Sequence, residues 1–205
     1  MVALALVALC ACGGTYAGEP LISPQASGSL ISPGSSGCHN DIRTCMDQRT
    51  TPPPMVIDLA KKYTATVHTN RGDFVIAFVD PKIAPQTVNN FVYLSQNHYY
   101  DGLTFHRVVA GFVVQGGDPL GNGTGGPAYK LPDENNPSKW PRGTAGMASS
   151  AAGVSGSQFF ITLGPAPFLG TNGVYNHFGQ VTSGMDVIDS IQVGDKMTSI
   201  DITAS

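Results

Sequence analysis

Charge is scarce in this chain. Lys, Arg, Asp and Glu make up 12% of its 205 residues, the formal net charge is −3, and Lys61-Lys62 is the one adjacent basic pair. A protein that grips nucleic acid needs a basic footprint against the phosphates, so that class of partner is excluded. Cysteine occurs at positions 10, 12, 38 and 45 and nowhere later, which leaves most of the chain without thiol chemistry or disulfide support. His39, His68, His98, His106 and His177 are scattered without ligand spacing, which argues against a metal site and against a metal hydrolase. The apolar run at residues 1–11, MVALALVALCA, is too short to cross a bilayer as a helix. It reads instead as the hydrophobic core of an export signal.

What is present divides the chain in three. Leu9-Cys10-Ala11-Cys12-Gly13 resembles a bacterial lipoprotein signal box, with Cys12 as the lipidated first residue of the mature chain; an ordinary signal peptide is the alternative. Residues 1–12 are therefore expected to be a signal. The protein is expected to be exported, either lipid-anchored at the cell membrane or extracytoplasmic, with no membrane attachment besides the lipid. Residues 13–55 are rich in Gly, Ser and Pro, cannot bury enough apolar surface to fold, and read as a disordered tether. Within it Cys38 and Cys45 bracket HNDIRT, a spacing that allows a small disulfide loop in an exported protein. TTPPP at 50–54 stiffens the chain ahead of the folded domain, residues 56–205. With 41% hydrophobic residues, the chain fills one such domain, expected to be a monomer.

The composition changes at Lys62. Residues 63–69, YTATVHT, alternate as a half-buried strand, Asn70-Arg71-Gly72-Asp73 is a turn, and residues 74–79 form a second strand, giving an antiparallel hairpin. Pro85 suits a first helical turn, and Val88, Phe91, Val92 and Ser95 keep helical spacing to about Asn97. Residues 100–118, YDGLTFHRVVAGFVVQGGD, place Arg107 and Gln115 in an otherwise apolar, β-rich run. Alternation along 103–109 sets Phe105, Arg107 and Val109 on one face and Thr104, His106 and Val108 on the other; Val113 and Gln115 likewise share a face. A guanidinium does not move protons, so an arginine held among aromatics and valines points to a fixed hydrogen-bond donor. His106 reads as a structural residue. Residues 119–141 carry Gly121, Gly123, Gly125 and Gly126 without the context of a phosphate loop, and read as a surface loop. Later strands are expected at 143–147, 157–163, 178–181 and 199–203, with a short helix at 185–191. Many short strands, Gly/Pro turns and two helices indicate an antiparallel barrel with helices over its ends.

The ordered motifs Phe105-His106-Arg107-Val108-Val109, Phe112, Gln115-Gly116-Gly117-Asp118, Met147-Ala148 and Gly156-Ser157-Gln158-Phe159-Phe160-Ile161 resemble the cyclophilins, the cyclosporin-type peptidyl-prolyl cis-trans isomerases, over residues 62–204. The resemblance implies a mainly β fold: a closed eight-stranded antiparallel β-barrel with two capping α-helices and a groove on its outer face. It implies accelerated rotation about Xaa-Pro bonds, in aid of protein folding, without metal or cofactor. Its partners would be proline-containing peptides and unfolded or folding proteins. A barrel that binds such segments without turnover, as a chaperone module, is the alternative. Position by position, Arg107 would be the catalytic arginine and Gln115 its polar neighbour. Phe112, Val113, Phe160 and Leu169 would form the proline pocket, and Ala148 and Ser149 would line the peptide groove, with Gln158, Phe168 and Tyr175 also contacting substrate. The chain departs from the family pattern in having Val113 for the common methionine, Ser149 for asparagine and Phe168 for tryptophan. Its loop 170–176 is also longer, and Tyr175 is the nearest equivalent there of a groove histidine.

Overall fold

The computed structural model describes residues 42–137, 139–171 and 174–205. The expected signal, Cys12 and Cys38 lie outside them. A short helix, α1 (Ile42–Gln48), comes first. β1 (Tyr63–Thr69) and β2 (Gly72–Phe78) form the hairpin that alternation predicts; β1 buries Tyr63, Ala65, Val67 and Thr69 and leaves the residues between them half-buried. α2 (Pro85–Gln96) begins on the expected proline and turns Val88, Phe91, Val92 and Ser95 into the core. Its first free N–H groups, those of Gln86 and Thr87, donate to the two oxygens of the Glu134 carboxylate at 2.8 Å each. A carboxylate there satisfies otherwise orphaned donors and meets the positive end of the helix dipole.

The remaining elements are β3 (Arg107–Val109), β4 (Val113–Gly116), β5 (Lys130–Leu131), β6 (Thr144–Ser150), β7 (Gly153–Thr162), a 3-10 turn (Pro167–Gly170), β8 (His177–Ser183), α3 (Met185–Ser190) and β9 (Met197–Ala204). The strands pair antiparallel in the order β3-β4-β7-β6-β8-β2-β1-β9, with β5 added on β7. The expected closed barrel is realised as a curled sheet. Its ends meet through the short stretches before β3 and β9 rather than along a full ladder. There the N–H of Gly102 donates to Met197 O at 2.7 Å, that of Met197 to Leu103 O at 2.9 Å, that of Phe105 to Asp195 O at 2.8 Å, and that of Gly194 to Phe105 O at 3.0 Å. After the isolated bridge Thr104–Lys196 the chain turns away and pairs Arg107 with Gln115 instead. That break also overturns the expected alternation. Phe105 is 1% exposed inside the barrel, whereas Arg107, two residues on, faces solvent.

Phe91 is the centre of the barrel interior, stacked on Phe178 at 4.8 Å and Tyr100 at 5.0 Å and edge-on to Phe159 at 5.3 Å and Phe78 at 5.7 Å. Two segments expected to lie outside this core belong to it. Met46 of α1 is fully buried, and Ile42 and Cys45 pack against the same cluster. The Arg43 guanidinium donates to Tyr99 O at 3.0 Å and also to Asp101 O, while Asn89 binds Pro54 O at 3.0 Å and Val56 N at 2.7 Å. The chain is therefore packed on the barrel from Ile42 onward, earlier than the boundary expected at residue 56. Cys45 is disulfide-bonded, and Cys38, its expected partner, lies outside the described residues. The stretch read as a surface loop, 119–141, likewise buries Tyr129, Leu131 and Trp140.

Asp195 ties the β1–β2 turn to the place where the sheet ends meet. Its carboxylate accepts from Asn70 Nδ2 at 2.7 Å, Arg71 Nε at 2.8 Å and Gln192 N at 2.7 Å. These donors, Asn70 first, hold its carboxyl down at about 2. An unfolded aspartate titrates near about 3.9, so this stabilisation is present above that pH and is lost as pH falls from about 4 through about 2. Acid unfolding followed by circular dichroism should find Asp195→Asn less stable at neutral pH, with a flatter pH dependence across that window. An acid-unfolding curve identical to the parent's would contradict the assignment.

Candidate active site

β4 lies between β3 and β7, and the register sets Arg107 opposite Gln115 and Gln115 opposite Phe160. Residues directly opposite one another in antiparallel strands share a face, so these three side chains form one row on the outside of the sheet. The row continues to Gly146 of β6. Glycine is required there because a Cβ would lie 2.5 Å from Cζ3 of Trp140; the indole instead slides under the row and stacks on Phe160 at 5.6 Å. Arg107 Nη1 donates to Gln115 Oε1 at 3.2 Å, and its guanidinium carbon stands 5.8 Å from the centre of the Phe112 ring. An amide on one side and an aromatic face on the other orient the guanidinium although it is exposed.

A second apolar cluster, distinct from the barrel interior, lies below this row. It comprises Val113, Trp140, Phe160, Ala166 and Leu169, with Phe112, Ala148 and Tyr175 packed against it. Above it opens a cavity of about 270 Å³ lined by Arg107, Phe112, Val113, Gln115, Ala148, Ser149, Phe160, Leu169 and Tyr175. Phe159 and Phe160, adjacent on β7, serve the two clusters in turn, one inside the barrel and one under the cavity. Tyr175 meets Phe160 edge-on at 5.8 Å and lines the cavity.

Of the expected groove residues, Gln158 and Phe168 are absent from this lining. Phe168 is 46% exposed on the 3-10 turn and leans against Phe112 at 5.1 Å, a rim position. Gln158 is 6% exposed and stands behind Gln115, from whose Nε2 it accepts at 3.0 Å. His106 is off the cavity, and its ring nitrogens are enclosed with no hydrogen-bond partner among the described residues. Burial is the main cause holding its pKa below the usual histidine value; Asp118 opposes and Arg107 adds to the lowering, so the ring is neutral at pH 7.

Two residues beneath the site escape sequence reasoning. Trp140 supports Phe160, and its one available signal is being the sole tryptophan of the chain. Asp118, read as the end of a motif, is a buried hub for the loop that follows it. Among the described residues no three His, Cys, Asp or Glu side chains are grouped to hold a metal ion.

Fold and site together define a protein that can seat a small apolar ring on the outer face of a curled β-sheet, beside a fixed cationic donor. Residues 64–203 match the family model described as cyclophilin type peptidyl-prolyl cis-trans isomerase/CLD. The chain is 43% identical over 152 residues to a peptidyl-prolyl cis-trans isomerase of Helicobacter pylori, covering 72% of this chain and 91% of that one. It is 46% identical over 140 residues to one from Synechococcus elongatus, covering 67% and 94%. A crystal structure of a cyclophilin type peptidyl-prolyl cis-trans isomerase from Cryptosporidium parvum superposes with a TM-score of 0.62 at 32% identity, over 70% of this chain and 99% of that one. The same protein in the presence of the dipeptide Ala-Pro gives 0.57 at 28% identity, over 69% and 99%. The chain belongs to the cyclophilin-type peptidyl-prolyl cis-trans isomerase family, and its activity is the isomerisation of Xaa-Pro peptide bonds.

Proposed function

We propose that the cavity beside Arg107 seats the proline ring and that Arg107 is the group that lowers the barrier to rotation. The observation that carries this is the outer-face row, in which a permanently charged donor is fixed at the mouth of a cavity with an apolar floor, sized for a small ring. Peptide-bond rotation faces a barrier of about 18–20 kcal/mol because resonance gives the C–N bond partial double character. Twisting the bond localises the lone pair on the imide nitrogen, so a donor aimed at that nitrogen binds the twisted state more tightly than either planar one. The apolar floor formed by Phe112, Val113, Phe160 and Leu169 holds the ring and excludes water while the acyl side turns.

β6 supplies the edge for the rest of the peptide. Its ladder with β8 ends at Gly146 and is followed by the bond from Met147 N to Asn176 O at 2.9 Å; Ala148 and Ser149, the next residues of β6, line the cavity, a placement that suits an extended segment laid along a strand. The Cryptosporidium protein was crystallised with Ala-Pro, which supports a proline-containing peptide as the ligand here. The test is NMR exchange on an Xaa-Pro peptide with the full chain. Catalysed exchange supports the reading, whereas peptide binding without exchange would make the chain a binding module.

We extend the proposal to the cell. The protein acts after export as a monomer on unfolded or folding chains, tethered through lipid on Cys12, with Cys38 as the disulfide partner of Cys45. One acyl chain gives only marginal membrane binding, so a stable anchor needs the several chains of a bacterial lipoprotein. In a bacterial host, the full-length protein should fractionate with membranes and Cys12→Ser should release it. Recovery of the parent protein wholly in the soluble fraction would contradict the anchor.

A further inference from the structure

The loop between β4 and β5 is wired into the site by hydrogen bonds whose direction is forced. Asp118, 1% exposed, turns its carboxylate on that loop: Oδ1 accepts from Leu120 N at 2.8 Å, and Oδ2 accepts from Asn122 N at 3.1 Å and from Gly123 N. Burial pushes its pKa up, but the backbone N–H donors outweigh burial and leave it below the usual aspartate value, so the carboxylate stays ionised and can only accept. The loop wraps tightly around it; a Cβ on Gly125 would lie 2.1 Å from Asp118 Oδ1. The carbonyls of Gly123 and Gly125 then accept from Gln158 Nε2 at 3.1 and 2.8 Å.

Two carbonyl acceptors allow the Gln158 amide one orientation, with Oε1 toward Gln115. Gln115 must therefore donate through Nε2, as it does at 3.0 Å. Its Oε1 is left to accept from Arg107, and does so at 3.2 Å. Without Gln158, the Gln115 amide is free to flip and present its NH₂ to the guanidinium, a contact between two donors that pushes Arg107 out of line.

We propose that Gln158, oriented by the loop that Asp118 holds, is a positioning residue that sets the direction of the Arg107 donor. The resemblance implies a substrate contact for Gln158, but both of its amide atoms are taken up within the protein. The inference rests on the reading of Arg107 as the donor, and the failure of each can be told from that of the other.

Gln158→Met keeps the volume and removes both hydrogen-bonding atoms. The expected result is a loss in kcat of roughly 10-fold, below the hundredfold that misplacement by a whole ångström can cost, with KM for an Xaa-Pro peptide within about twofold of the parent. The double variant Arg107→Ala/Gln158→Met should be no slower than Arg107→Ala alone, because the amide acts only through the guanidinium. Gln158→Glu, nearly isosteric, would aim a carboxylate at two carbonyls and should show the same kcat loss should the methionine variant fold poorly. A rise in KM in both arginine backgrounds would mean direct substrate contact and would overturn the proposal. So would a lower melting temperature with an unchanged rate per folded molecule, which is the mark of a structural role. If Arg107→Ala is slow while both Gln158 variants run at the parent rate, this inference alone fails; if Arg107→Ala is itself fast, the donor reading fails and takes this one with it.

Discussion

Arg107→Ala is expected to slow isomerisation of an Xaa-Pro peptide by about 10²–10³, roughly 3–4 kcal/mol of barrier, the usual cost of removing one preorganised donor. The affinity for the planar peptide should change far less, because the contact to the imide nitrogen matures only as the bond twists. Stability should hardly move. The side chain is exposed, donates one hydrogen bond to the Gln115 amide oxygen and lies over one ring face, and a cation–π contact at an exposed site contributes about 0.5–1 kcal/mol. Turnover and melting therefore separate in this variant. Exchange spectroscopy at saturating peptide, with a thermal melt of the same sample, reads both. If Arg107 served only to brace β3 against β4, the melt would drop and the rate per folded molecule would stay near that of the parent.

Phe91→Ala should show the reverse pattern. The ring is fully buried and touches four aromatic neighbours drawn from α2's surroundings and three strands. Truncating a buried phenylalanine costs about 3–5 kcal/mol through lost transfer energy and the cavity left behind, out of a total of about 5–15 kcal/mol for a typical domain. The melting temperature should fall by roughly 10 °C or more. The cavity proposed to take proline is floored by the other cluster, with Phe160 rather than Phe159, so the rate per folded molecule should persist. Calorimetry together with exchange measured well below the new melting temperature checks both halves. A loss of rate in fully folded protein would show that the two clusters move together.

What could be read in advance was local. Alternation in 63–69 and helical spacing from Val88 to Ser95 are carried by neighbours in the chain, and both elements stand where expected. Arg107, Gln115, Phe112 and Phe160 are legible as ordered motifs; the register brings Arg107, Gln115 and Phe160 together at the cavity, which Phe112, just before β4, also lines. The face of Arg107 relative to Phe105 was not, because the stretch between them is tied to the chain before β9 and leaves strand geometry. Met46 was hidden in a segment whose Gly, Ser and Pro content averages away an isolated apolar turn. Trp140 and Glu134 sit in a stretch without periodicity because their positions are set by distant partners, the missing side chain of Gly146 and the free N–H groups of α2. The direction of the Gln158 amide is likewise imposed by loop carbonyls more than thirty residues away.

Arg107→Lys separates charge from geometry, because it keeps the charge and removes the planar fork. Peptide affinity and exchange rate would be measured on one sample of this variant, beside the parent and Arg107→Ala. The lysine variant is expected to bind the peptide nearly as the parent does, yet to exchange it at a rate close to that of the alanine variant. Exchange restored to the parent rate, or losses of rate matched one for one by losses of affinity, would contradict a fixed guanidinium as the group that stabilises the rotating bond.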